Sequence, residues 1–373
     1  MERLKMSVTK RGKSWEVRYR DSQGVHRSKA FRTQTSAKKY ERAMTDALEL
    51  GNWTNPDFGH LTVSQVNEEF MKSKSNLKPK SIAALESTWR CHIEPKFGKV
   101  KISKLTVRDI HHWVTSSATG ENASVSSGRI TKALIQLSQI LDFAVDMQYL
   151  SKNPARKSDG TLAKISLPKT DKTRPVITLT TGELTRLAKE CGDYESLVLL
   201  SGTIGLRWAE IVGLQVQDLD LELGNLMVTR TLSEVNGYFH ESTPKTGQTR
   251  VVSIPSFLIP MLHELIAGAN ETDLVFRTKK GTPLLNSNFK RSVLNPAIKR
   301  AGVPRITFHD LRHTAATNAI SKGANPVLVA GMLGHSDPSL TLRRYAHYLP
   351  ADQKNLASLI SDDFLAEKVI SNT

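Results

Sequence analysis

The chain has 373 residues, with 52 Lys/Arg against 36 Asp/Glu and a formal net charge of +16. That length is too great for one ordinary core and calls for two or three domains. Its two cysteines, Cys91 and Cys191, lie far apart without paired spacing, which excludes a disulfide framework or a paired-cysteine zinc site. They read as free thiols in a reducing cytoplasm. Met1-Glu2-Arg3-Leu4-Lys5 lacks the apolar stretch of a signal peptide, and no run approaches membrane-spanning length. Residues 1–58 hold 13 Lys/Arg against 7 Asp/Glu, residues 59–170 hold 17 against 9, and residues 171–373 hold 22 against 20. The basic footprint therefore lies on the N-terminal half, where it suits a polyanion.

Trp15, Val17 and Tyr19 alternate with Glu16, Arg18 and Arg20, the period of a half-exposed strand. Asp21-Ser22-Gln23-Gly24 signals a turn, and a second strand runs from Val25 to Phe31 with Arg27 and Lys29. Thr35 or Ser36 caps a helix with Tyr40, Met44, Ala47 and Leu48 on one face, and Gly51 ends it. The outer face of this sheet is expected to hold Arg18, Arg20, Arg27 and Lys29, as a ribbon fitted to a DNA major groove.

After Trp53-Thr54-Asn55-Pro56 the pattern becomes helical. Val63, Val66 and Phe70 mark one helix. Ile82, Leu85, Trp89 and Ile93 mark a second, opened by Pro79 and closed by Pro95. Thr106 caps a third with Val107, Ile110, Trp113 and Val114. Ser127 opens a long fourth through Ile130, Leu134, Leu137, Leu141 and Val145. Lys78, Lys80, Arg90, Arg129 and Lys132 fall off these stripes and are candidates for gripping phosphates. Residues 156–175 have linker composition.

From Val176 the chain is mixed. Thr181 caps a helix with Leu184, Leu187 and Ala188, and an apolar helix from Leu197 to Ile204 leads into Gly205-Leu206-Arg207. Residues 225–232 and 250–254 read as strands around Tyr238, Phe239 and the turn Lys245-Thr246-Gly247-Gln248. Helices resume at Ser287, His309 and Asn325. The expectation is a largely helical domain with one small sheet.

This last segment carries the chemistry. Arg207, Lys245, His309, Arg312, His335 and Tyr345 follow in that order, without the Asp/Glu cluster that holds Mg²⁺. Fixed guanidinium groups suit the extra negative charge of a phosphorus centre under attack, because they stay charged and offer paired planar donors. Histidines can donate to a phosphate or move a proton near neutral pH. A lysine can protonate a leaving oxygen, which an arginine cannot. A phenol is a weak nucleophile at neutral pH and needs a base and a cationic field. His309 and His313 stand four apart, at metal-ligand spacing, but no third ligand accompanies them.

The box Leu333-Gly334-His335-Ser336, followed by Tyr345 and His347, with His309-x-Leu311-Arg312 upstream, resembles the tyrosine recombinase (phage integrase) family. Almost the whole chain fits the lambda-type form with its N-terminal arm-binding domain. The resemblance implies a multidomain, mainly α fold with small β-sheets. Residues 1–58 would be a three-stranded sheet plus helix that binds arm-type DNA sites. Residues 59–155 would be a four-helix core-site-binding domain, and 156–175 a linker. Residues 176–373 would be a mixed, mainly helical catalytic domain with a C-terminal tail.

The activity implied is site-specific DNA cleavage and rejoining through a 3′-phosphotyrosyl intermediate, without metal, ATP or other cofactor. Such enzymes integrate a phage or mobile element into a host chromosome and excise it. The implied partners are double-stranded DNA with core and arm-type sites, a homotetramer on that DNA, a DNA-bending host factor and an excision factor. No membrane is involved, and the setting is the host cytoplasm and nucleoid. Tyr345, ten residues past His335, takes the nucleophile position, with Tyr348 as the nearby alternative. Lys245 takes that of general acid, with Lys279 and Lys280 as alternative donors. His309 would help deprotonate the tyrosine, and His335 would stabilise the phosphate. Glu210, one helical step past Arg207, would orient it; His347 receives no role. The tail, with Leu356, Leu359, Ile360, Phe364 and Leu365 at helical spacing, would dock on its own domain or on a neighbouring protomer.

Overall fold

The computed structural model describes residues 6–21, 24–49, 53–54, 58–118, 125–157, 160–161, 176–244 and 249–345, apart from the side chains at 340 and 344. The chain divides into two compact units, Met1–Thr173 and Arg174–Thr373.

The first unit opens with an antiparallel sheet of β1 (Ser7–Arg11), β2 (Ser14–Arg20) and β3 (His26–Phe31), in that order. β1 contains one apolar residue, Val8, so no alternation announces it. Val17 and Tyr19 are buried where the sheet meets α1 (Gln34–Glu49). There Tyr40 lies 6.3 Å from Tyr19 and 5.0 Å from Phe31, ring to ring. α1 starts earlier than its Thr-Ser pair suggested, because Thr33 Oγ1 accepts the Ser36 amide at 3.2 Å.

Helices follow: α2 (Val63–Ser73), α3 (Pro79–Thr88), α4 (Glu94–Phe97), α5 (Val107–Ala118) and α6 (Ser127–Asp146), with α2, α5 and α6 each buried along one stripe. α2 begins with a capping box between Thr62 and Gln65. The helical path does not close at Pro95: α3 passes into a π turn, Trp89–Ile93, which continues into α4 through Pro95. Pro95 has no N–H to give to the preceding turn, and the wide turn absorbs that loss while keeping Trp89 and Ile93 buried. Phe70, Trp89, Ile93, Phe97, Ile110, Trp113, Ile130, Leu134 and Leu141 share one core. Of the segment read as a linker, residues 156, 157, 160 and 161 are described; Arg156 pairs with Asp142 of α6.

The second unit starts with α7 (Thr181–Glu190), boxed by Thr180 and Glu183, then α8 (Glu195–Ile204) and the short α9 (Trp208–Ile211). Two sheets follow instead of one. β4 (Leu219–Asp220) and β5 (Asn225–Val228) pair with β8 (Arg250–Ser253), while β6 (Thr231–Val235) and β7 (Tyr238–Ser242) form a separate hairpin. The break falls at Thr229-Arg230, where both side chains bond the buried Asp218, so 225–232 is not one strand.

The other described helices of the unit are α10 (Ile259–Ile266), α11 (Asn286–Phe289), a π turn at Lys290–Leu294, α12 (Asn295–Ala301), α13 (Phe308–Ser321), α14 (Pro326–Leu333) and α15 (Pro338–Tyr345). α8 is mostly apolar, with Leu197, Val198, Leu199, Leu200 and Ile204 spread around it, and is buried along most of its length. With α7 and α13 it forms the main core through Leu184, Leu187, Leu197, Val198, Leu200 and Leu311. Among the described residues, no helix is long and apolar enough to cross a membrane.

Candidate active site

Four helix ends of the second unit bring the chemistry-bearing residues together. The first is the exit of α8. Arg207 is the N-cap residue of α9, and its backbone N–H donates to Glu210 Oε2 at 2.9 Å. Its Nη1 donates to Glu210 Oε1 at 2.8 Å and its Nη2 to the Gly334 carbonyl at 3.1 Å. Glu210 is thus both capping residue and counter-charge.

The second is the start of α13. Thr307 and Asp310 form a capping box there, with the Thr307 N–H and hydroxyl donating to Asp310 Oδ2 at 2.6 and 2.8 Å. This fixes the helical register of His309, Arg312 and His313. Arg312 is 3% exposed. Its Nη1 donates to the Gly205 carbonyl at 2.8 Å, while its buried Nη2 has no hydrogen-bond partner among the described residues. Burial presses its guanidinium well below the ordinary arginine range, and the charges of Arg207 and Arg250 press the same way, against Glu210 and Tyr345. His309 is exposed at the surface. Trp208 and Phe308 stack edge to face behind it, at 4.8 Å.

The third is the end of α14. Gly334 closes it in the left-handed conformation, φ +67°, and the His335 N–H returns to the Ala330 carbonyl at 3.0 Å. The His335 ring meets Thr341 Oγ1 through Nδ1 at 2.7 Å. The fourth is α15, whose Asp337 caps it through the Ser339 amide. Tyr345, 2% exposed, packs on Ala316, Ile320, Val329 and Leu333. Its hydroxyl hydrogen-bonds His313 Nδ1.

Thus the structure joins Arg207, Arg312, His335 and Tyr345 in one region with Glu210, and it adds two residues that sequence reading missed. His313, considered there only as a metal ligand, is the histidine at the Tyr345 hydroxyl, one turn beyond His309. Arg250 reaches Glu210 with Nη1 and Nη2, at 3.1 and 2.8 Å, and the Met332 carbonyl with Nε, at 3.0 Å. A signal for Arg250 was present: it alternates in phase with the buried Val252, opposite the exposed Val251. Lys245, Tyr348, His347 and the tail lie outside the described residues. Lys279 and Lys280 are exposed on their turn.

The DNA-contact candidates of the first unit are not on one face. The register pairs Tyr19 with Arg27 and Val17 with Lys29, so those two cations lie on the helix side of the sheet. Arg27 Nε pairs with the buried Asp21 at 2.9 Å, and Lys29 Nζ lies 4.7 Å from the Tyr40 ring centre. Arg18 and Arg20 do point outward and are exposed; Arg18 pairs with Glu16 and Arg20 with His26. The expected shared outer face of four cations therefore reduces to two. Lys78, Lys80, Arg90, Arg129 and Lys132 are all exposed.

Two family models match the chain: the phage integrase family over residues 178–351 and the phage integrase N-terminal SAM-like domain over residues 62–117. A "Tyrosine recombinase XerC-like" protein of Caldanaerobacter subterraneus subsp. tengcongensis is 29% identical, covering 93% of this chain and 94% of its own. The ICEBs1 integrase of Bacillus subtilis is 25% identical over 73% of this chain and 74% of its own. Among solved structures, the Tn1549 transposon integrase in complex with a circular intermediate DNA superposes with a TM-score of 0.66 at 20% identity, covering 81% of this chain and 99% of that one. A lambda integrase tetramer bound to a Holliday junction superposes at 0.55 and 15% identity, over 91% and 98%. The match over 178–351 spans Arg207, Glu210, Arg312, His335 and Tyr345 alike, and with it this chain belongs to the tyrosine recombinase (phage integrase) family, as a tyrosine-type site-specific DNA recombinase.

Proposed function

We propose that the protein is the integrase of a phage or mobile element, joining that element to a host chromosome and excising it. The observation that carries the reading is Arg312: a buried guanidinium with one nitrogen unpartnered among the described residues, beside Arg207 and Tyr345. A buried charged donor left unpaired costs about 1–3 kcal/mol or more, which a phosphate oxygen would return. Arg207, Arg312 and His335 hold the nonbridging oxygens as negative charge grows on them. Tyr345 Oη attacks phosphorus as its proton passes to His313 Nδ1, the bond from phosphorus to the 5′ oxygen breaks, and Lys245 protonates that oxygen. The 3′-phosphotyrosyl bond keeps the energy of the diester, so a 5′ hydroxyl from a second duplex reverses the step without ATP.

Residues 1–58 bind arm-type sites, while residues 59–155 and the catalytic domain clasp the core site. The active species is a tetramer on two DNA sites, aided by a DNA-bending host factor and an excision factor. Relatives whose names include integrase and transposase, and DNA-bound structures with the same fold, support this reading. The test is a duplex nicked near the cleavage position, resolved on a denaturing gel in EDTA. The wild type is expected to form a covalent adduct and Tyr345→Phe to bind DNA without forming one. An undiminished adduct in the variant would move the nucleophile, with Tyr348 next. Cleavage without an adduct, abolished by EDTA, would favour a metal-dependent nuclease instead.

A further inference from the structure

Arg250 stands at the meeting point of three parts of the site, although no reading of the motif includes it. It opens β8, two residues after the stretch 245–248 that carries Lys245. Its side chain is 12% exposed, and that of Glu210 is 1% exposed. Burial alone would push the Glu210 carboxyl up. The hydrogen bonds and charge of Arg250 outweigh that, with the amide and charge of Arg207 adding to them, and hold it below the usual carboxylate range. Glu210 is therefore a fixed anion shared between two guanidiniums.

The sharing matters because Glu210 competes with any phosphate for Arg207. Arg207 meets Oε1, and Arg250 covers both oxygens. Without Arg250 the carboxylate would have one guanidinium left to bind, and it would draw Arg207 away from a substrate. The charge count changes too: Arg207, Arg250 and Arg312 against Glu210 give +2 here, and +1 without Arg250. Both arginines also tie down the α14 turn, Arg250 at the Met332 carbonyl and Arg207 at the Gly334 carbonyl, just before His335. The fit is close, since a Cβ on Gly334 would stand 2.8 Å from Arg250 Nη1.

We propose that Arg250 is a positioning residue: by saturating Glu210 and clamping the Met332–Gly334 turn, it keeps Arg207 available to the scissile phosphate and presents His335 beside it. It acts through Arg207 and His335, without touching DNA. The inference rests on the recombinase reading above.

The test uses the full-length protein and two nicked core-site duplexes, one with a normal phosphodiester at the cleavage position and one with a neutral methylphosphonate. The neutral linkage develops less charge for Arg207 to meet. Arg250→Gln is expected to slow adduct formation on the phosphodiester about 100-fold while binding core DNA within about threefold of wild type. On the methylphosphonate it should fall within about threefold of wild type. Adding Glu210→Gln should restore about tenfold of the lost rate, by removing the competing anion. Arg250→Lys should be intermediate, because an ammonium cannot make the planar fork and reach Met332 together; it carries the test if Arg250→Gln does not fold. Equal slowing on both linkages, or no gain in the double variant, would reduce Arg250 to a structural ion pair and overturn the proposal. A wild type that forms no adduct would instead overturn the recombinase reading.

Discussion

Tyr345 is buried, and its hydroxyl bonds a histidine outside the family box, which gives His313 a measurable part in the reaction. Replacing it removes one hydrogen bond to a group that must become charged, worth about 1.5–3 kcal/mol, or about 10- to 150-fold in rate. His313→Ala is therefore expected to slow adduct formation by that factor while sparing core-site affinity. His309→Ala, at an exposed position, should have the smaller effect. Single-turnover cleavage of a nicked duplex by both variants checks this, and a larger loss in His309→Ala would return the proton-accepting role to His309. Sequence reading stopped short here for a physical reason. Spacing records that His309 and His313 share a helix face, but only the placement of α15 against α13 decides which of them meets the tyrosine.

At the scale of elements, Gly334 couples backbone to chemistry. A residue with a Cβ at its φ of +67° costs about 1–2 kcal/mol, and here the Cβ would also displace Arg250. Gly334→Ala should thus lower stability by about that amount and also impair cleavage. Gly237, φ +87° at the tip of the β6–β7 hairpin, faces open space. Gly237→Ala should show a similar loss of stability and keep normal cleavage. Thermal melts paired with adduct assays separate the two, and normal cleavage by Gly334→Ala would sever the turn from the chemistry.

Helices were the most legible elements, because Val63, Val66 and Phe70, or Ile130, Leu134 and Leu141, repeat with the helical period and are buried. Strand faces were less so. Arg27 and Lys29 alternate correctly, yet which side they take depends on the β2–β3 register, set by a turn closed on Asp21. The split of 225–232 into two sheets depends on Asp218, remote in pattern though close in space.

For the molecule as a whole, charge is the organising quantity. Residues 1–58 carry a net +6 of the total +16, on a sheet and helix with their own buried face. A chain starting at residue 59 should still bind and cleave core sites weakly, yet fail in integration that requires distant arm sites. Its affinity should also depend less steeply on salt, since fewer counterions are released. Filter binding across a salt series, with integration assays on arm-bearing and arm-less DNA, measures both. An unchanged salt slope together with normal integration would remove the front segment from DNA recognition.

The contact between Gly334 and Arg250 also bears on how such a sequence can diverge. A Cβ at 334 would stand 2.8 Å from the Arg250 guanidinium, so filling the glycine displaces that group and leaves Glu210 with Arg207 alone. Positions 210, 250 and 334 should therefore drift as a trio: a lineage that fills the glycine must first find another partner to share the glutamate with Arg207. Substitutions introduced one at a time in laboratory evolution would meet that barrier at each of the three positions, however permissive the rest of the surface is.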